Sequence, residues 1–167
     1  MSFRLVEITE LSGTACKIYS VSIDEAEDTL FDYFLDRLSD GYPKAVEEIW
    51  NKLLFMGEEG GVRLHFFREN EGHPGDGVVA LLDEPRFPLR LYGIRFGTVL
   101  LILGDGGYKA PQIHAWQEDE TLSRAAKQMI ILSAKITERI RDKSIRIDID
   151  GTLKGDLVFE EDTLNTI

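Results

Sequence analysis

Hydrophobic and polar positions alternate and recur along this chain in a way that divides it into elements. Phe3 to Ile8 and Ala15 to Ile23 read as strands joined through Ser12-Gly13, with Tyr19, Val21 and Ile23 on one face by period-two spacing. Leu30, Phe31, Phe34, Leu35 and Leu38 recur at helical spacing, and Ser39-Asp40-Gly41 ends that helix. Pro43 suits the first turn of a second helix, whose stripe is Val46, Ile49, Trp50, Leu53 and Leu54, with Gly57 as its stop. Val62 to Phe67 and Val78 to Leu82 predict short strands around the glycine-rich loop Gly72 to Gly77.

The run from Leu89 to Lys109 is the most informative. Arg90, Tyr92 and Ile94 fall on one face, while Leu89, Leu91, Gly93 and Arg95 fall on the other. Phe96-Gly97 supplies a turn, and Thr98 to Leu103 is apolar throughout, as a strand buried on both faces requires. Gly104 to Gly107 reads as a strand-exit turn carrying Tyr108-Lys109. Thr121 to Arg141 predicts a long amphipathic helix with Leu122, Ala125, Met129, Ile130, Ser133, Ile136 and Ile140 inward. A terminal hairpin is expected, from Ile145–Ile149 through Asp150-Gly151 to Leu157–Phe159. These elements predict one α+β domain over residues 1–167: an antiparallel sheet, a packed helical hairpin, and an added C-terminal helix and β-hairpin.

At 167 residues the chain is long enough to bury a sizeable core, and 43% apolar with 29% charged residues is ordinary for a globular protein. The single cysteine, Cys16, excludes an intramolecular disulfide and multi-thiolate zinc sites. No apolar leader or membrane-length run is present, so a cytoplasmic location and no membrane partner are expected. The net charge of −11 argues against a generic nucleic-acid binder, but it is uneven: residues 1–85 carry −11, residues 86–146 carry +5 and residues 147–167 carry −5. A local site for an anion is therefore compatible with the acidic total.

The candidate chemistry lies in that basic middle. Arg90 and Arg95 could hold a phosphodiester, with Tyr108 or Lys109 at the far end; the alternative is that both arginines mark a solvated sheet edge. His73, in the glycine-rich loop, is the histidine placed to act as an acid or base. His65, His73 and His114 are too scattered for a metal site, and no cofactor is expected. Trp50 falls on an apolar stripe and is expected in the core, whereas Trp116 stands in a polar segment. Asp148-Ile149-Asp150-Gly151-Thr152-Leu153 matches a phosphatase DxDGT motif, but only 14 residues follow Leu153, so a hairpin turn is the simpler account. The terminal acids Glu160, Glu161 and Asp162 are expected in solvent.

The order of strand, two helices and a sheet rising to RLYGIRFGTVLLILGDGGYK resembles the RelE/ParE/HigB-like toxin superfamily, nearest its HigB-like, phage-derived branch. The resemblance covers roughly residues 15–112. It implies a toxin-like core over 1–112 and an extension of helix and hairpin over 113–167. It also implies a metal-independent mRNA endoribonuclease, acting on mRNA or at the ribosome and paired with a cognate antitoxin protein. In that reading Arg90, Arg95, Tyr108 and Lys109 are catalytic, while Tyr92 and His73 bind substrate. The histidine or second lysine common after the last strand of such toxins is absent, and Asp105 would repel a phosphate there. The alternative implied is a non-catalytic interaction protein that kept the scaffold and lost the active centre.

Overall fold

A computed structural model describes residues 1–69, 71–82, 88–109 and 119–160. Strands β1 (Phe3–Glu7) and β2 (Lys17–Ile23) form the N-terminal hairpin. Helix α1 (Leu30–Leu38) begins where the Thr29 hydroxyl accepts the Asp32 N–H and the Asp32 carboxylate accepts the Thr29 N–H, which satisfies two of the donors a helix start leaves open. Helix α2 (Pro43–Phe55) begins on Pro43 and ends in a π turn over Met56–Gly60. The expected strand at 62–67 is instead a 3₁₀ turn (Leu64–Phe66) leading into the short β3 (Phe67–Arg68).

Strands β4 (Val78–Leu81), β5 (Leu89–Phe96) and β6 (Leu100–Tyr108) continue from β3 as an antiparallel meander. After helix α3 (Glu120–Arg141), β7 (Ile145–Ile147) pairs with β8 (Leu153–Gly155), and β9 (Val158–Phe159) returns to the outer edge of β1. The main sheet runs β3-β4-β5-β6-β2-β1-β9. One junction departs from the expected antiparallel sheet: β2 pairs with β6 in parallel, Lys17 opposite Leu100 and Ser20 opposite Leu103. The two helices between β2 and the meander supply the long crossover that a parallel neighbour needs. The fold is thus α+β with a mixed sheet. The terminal hairpin also differs, because Asp150-Gly151 returns the chain to Leu153–Gly155, while Phe159 leaves to stack on Phe3.

Helices cover both faces of this sheet, and its side chains sort accordingly. Tyr19, Val21, Tyr92, Ile94, Leu100 and Ile102 pack with Leu122, Met129 and Ile136 of α3. Ile18, Leu89, Leu91, Leu101 and Leu103 pack with Phe31, Phe34, Ile49 and Leu53 of the helical hairpin. Consecutive β6 residues therefore serve opposite cores, which accounts for the unbroken apolar run. Trp50 is only half buried; its ring stacks on Phe31 at 6.3 Å from a groove on the outer side of the hairpin. Among the described residues no helix is long and apolar enough to cross a membrane.

The glycine-rich stretch after Leu103 is not an exit turn. It stays in β6, and a bulge puts Leu103 opposite Gly93 and Gly106 opposite Leu91. Space is tight at two of its glycines, against fixed backbone at Gly106 and against a flexible side chain at Gly104. A Cβ on Gly106 would stand 1.8 Å from the Arg90 carbonyl oxygen, and one on Gly104 would stand 2.2 Å from Met129 Sδ. The bulge therefore lets β5 and α3 approach β6 closely.

Candidate functional site

The arginines of β5 are five residues apart, an odd spacing, and the bulge lies in β6 rather than in β5. Alternation along β5 is thus unbroken, and the two guanidinium groups leave the strand on opposite faces. Arg90 is on the α3 face with Tyr92 and Ile94, and its side chain is completely buried. Since β5 lies between β4 and β6, the solvated-edge reading does not hold for either arginine. Arg90 acts on the equally buried Tyr92 hydroxyl, as do the nearby Glu71 and Arg68, which form an ion pair at 3.3 Å. Burial pushes the Tyr92 phenol well above its usual range, and the Arg90 side chain opposes that rise. A neutral, sealed phenol has no access to a substrate proton.

Arg95 belongs to the hairpin face, at the other end of β5. Its Nε donates to the Val62 carbonyl at 2.6 Å, and the side chain is half exposed. It borders a cleft of about 260 Å³ whose other walls include Glu69, His73, Asp76 and Leu64. The loop that carries His73 is pinned rather than loose. The Asp76 carboxylate accepts the N–H groups of His73 (2.7 Å) and Val78 (2.9 Å), and the Ser133 hydroxyl of α3 donates to the Asp76 carbonyl. His73 is exposed at the rim, so the structure brings His73 and Arg95 to one cleft.

Tyr108 and Lys109 lie elsewhere. Tyr108 pairs with Leu89, six residues of strand from Arg95, or roughly 20 Å. Its exposed ring stacks on Tyr42 at 5.5 Å, and the Lys109 N–H donates to the Pro88 carbonyl at 2.7 Å. Beside them Asp105 does not stand as a lone negative charge. Arg37 Nη1 and Nη2 donate to its two oxygens at 3.2 and 3.0 Å, and Nη2 also donates to the Gly106 carbonyl. This bidentate pair ties α1 to the β6 bulge, so Asp105 serves as an anchor for a cation that the chain itself supplies.

The six candidate residues therefore occupy three places: Arg90 and Tyr92 in the α3-side core, Arg95 and His73 at the cleft, and Tyr108 and Lys109 at the far end of the ladder. No protein-family model, curated protein or solved structure matches the chain. Its chemistry is read from these positions alone.

Other motifs resolve simply. Asp148 and Asp150 flank the β7–β8 turn, where the Thr152 N–H donates to Asp150 at 2.9 Å and holds that carboxyl below its usual range. His65 is exposed against the Phe66 ring. His114, Trp116, Glu161 and Asp162, and the boundary drawn at residue 112, lie outside the described residues.

Sequence reading missed Glu69 and Asp76 as cleft residues and Arg37 as the partner of Asp105. For Asp76 a signal existed: an Asp two residues before a strand, in a Gly-rich loop, commonly folds its carboxylate back onto local N–H groups. No local signal joins Arg37 to a residue 68 positions away.

Proposed function

We propose that this chain is a non-catalytic interaction protein on a RelE/HigB-like scaffold, the toxin-like half of a pair completed by a cognate antitoxin-type protein. One observation carries the reading. Arg90 is wholly buried and Arg95 leaves the opposite face of the same strand, so the paired cationic clamp that a phosphodiester would need is missing. The Tyr108–Lys109 end lies too far from Arg95 to complete it. A strand followed by a helical hairpin and an antiparallel meander, with that strand lying beside the last of the meander, suits the scaffold without requiring its chemistry.

A second reading, a metal-independent mRNA endoribonuclease, is favoured by one specific feature: His73 and Arg95 border the same cleft. Imidazole moves protons near neutral pH, and a guanidinium can hold the phosphate while the 2′-hydroxyl attacks. Catalysis would then rest on His73 and Arg95, with Arg90 and Tyr92 as framework.

The deciding experiment incubates purified protein with mRNA, with and without ribosomes. In parallel, the protein is co-expressed with the product of the adjacent gene. The interaction reading predicts intact RNA, no growth arrest on induction, and a co-purifying complex that survives His73→Ala and Arg95→Ala. Cleavage that disappears in both variants would transfer the assignment to the nuclease, and failure to co-purify would remove the antitoxin-type partner.

A further inference from the structure

Two surfaces on opposite sides of this molecule complement each other. The first is the groove between α1 and α2, of about 340 Å³, walled by Leu35, Pro43, Val46 and the half-buried Trp50, with Glu47 at its lip. Asp36 and Asp40 are exposed beside it, and Glu48 follows Glu47. The segment from Asp24 to Glu48 holds nine acids against Arg37 and Lys44, and Arg37 is engaged with Asp105. The groove is apolar within and negative around.

The second surface is the outer stripe of α3. Lys127, Ile131 and Lys135 succeed one another at four-residue intervals, so they line one face of the helix. All three are exposed, and Ile131 leaves 51% of its surface in water. The stripe is an apolar knob between two cations, inverse in character to the groove. Arg139, the next residue at that interval, is turned to Asp156 and the Phe159 ring, and the exposed Glu138 precedes it.

We propose that the α1–α2 groove of one copy receives the Lys127–Ile131–Lys135 stripe of a second copy. Ile131 fills the apolar floor beside Trp50, and the two lysines face Asp36, Asp40 and Glu47. Within one chain the stripe cannot reach the groove, because α3 and the helical hairpin cover opposite faces of the sheet. For the same reason the contact is heterologous: a pair of copies keeps one unused groove and one unused stripe, and association propagates head to tail instead of closing as a two-fold dimer. A single helix stripe in a shallow groove belongs to the small, weak class of contacts, so assembly is expected only at high concentration. The inference goes beyond the proposed function, since it needs no antitoxin-type partner and its failure leaves that reading intact.

Sedimentation velocity on the full chain from about 10 µM to about 1 mM covers the range where weak contacts register. The expected result is a sedimentation coefficient that rises with concentration without levelling at the dimer value. Asp36→Lys with Glu47→Lys, or Lys127→Glu with Lys135→Glu, should each weaken association about tenfold or more, all four sites being exposed positions that leave the fold intact by circular dichroism. Mixing these two variants should restore growth as an alternating assembly, because the native stripe of one fits the native groove of the other and the reversed stripe fits the reversed groove. Combining all four substitutions in one chain should restore growth. A protein monomeric at the highest concentration, a plateau at dimer, or association indifferent to the swaps would each overturn the proposal.

Discussion

The two ends of β5 carry the same side chain into different surroundings. At one end Arg90 is enclosed between the sheet and α3, beside Tyr92 and the Arg68–Glu71 pair. At the other, Arg95 leans on the Val62 carbonyl and keeps part of its guanidinium at an open cleft with His73. An odd spacing on an unbroken strand is enough to separate them, and burial then decides what each can do. A buried guanidinium has traded bulk water for a few fixed partners, so removing it leaves those partners unsatisfied. A half-exposed one is replaced by water at little cost. The first is framework; the second is available to a ligand.

The largest expected difference is in stability. Arg90→Ala should cost roughly 3–5 kcal/mol in denaturant melts, through a cavity and a disturbed buried polar cluster, whereas Arg95→Ala should stay within about 1 kcal/mol. Equal losses would break the comparison. The β6 glycines sharpen it. Gly106→Ala drives a Cβ into the Arg90 carbonyl and should cost about 2–4 kcal/mol, while Gly104→Ala meets only the movable Met129 thioether and should cost about 1 kcal/mol.

An alkaline titration tests the buried interior on the hairpin side. Burial pushes the Cys16 thiol up from its usual value near 9 to about 11. The folded state therefore holds this proton more tightly than the unfolded chain. Stability from this group is complete below pH 9 and is lost between pH 9 and pH 11, by about 2–3 kcal/mol in all. Cys16→Ala should flatten that part of the pH profile. Buried Tyr19 and Tyr92, whose phenols are also raised, add a loss of the same sign that begins at higher pH. The smallest effect is expected at the surface: Arg37→Ala removes a bidentate but partly solvated pair and should cost no more than about 1 kcal/mol, with the loss shrinking as salt is added.

What could be read beforehand follows from the range of each interaction. Period two along Leu89–Arg95 separated Arg90 from Arg95, and the apolar stripes with Ser39-Asp40-Gly41, Pro43 and Gly57 located the helical hairpin. Both are local properties. The burial of Arg90 depends on β4, β6 and α3 closing around it, and the parallel β2–β6 pairing joins segments about eighty residues apart. Neither leaves a local trace. The run Gly104-Asp105-Gly106-Gly107 misled for a related reason. Its glycines look like a turn, but they answer to Met129 and the Arg90 carbonyl, which no window around them contains. At the cleft, His73 was visible as a loop histidine, while Glu69 was hidden because an acid in an acidic segment carries no distinguishing mark.

Arginine modification with phenylglyoxal, read residue by residue by mass spectrometry on the folded protein, tests the separation most directly. Arg95 should react readily, with or without added phosphate as a trial ligand, while Arg90 stays unmodified until the protein is unfolded. Comparable reaction at both arginines, with both shielded together by the same ligand, would mean that they share one accessible anion site, and would contradict the account.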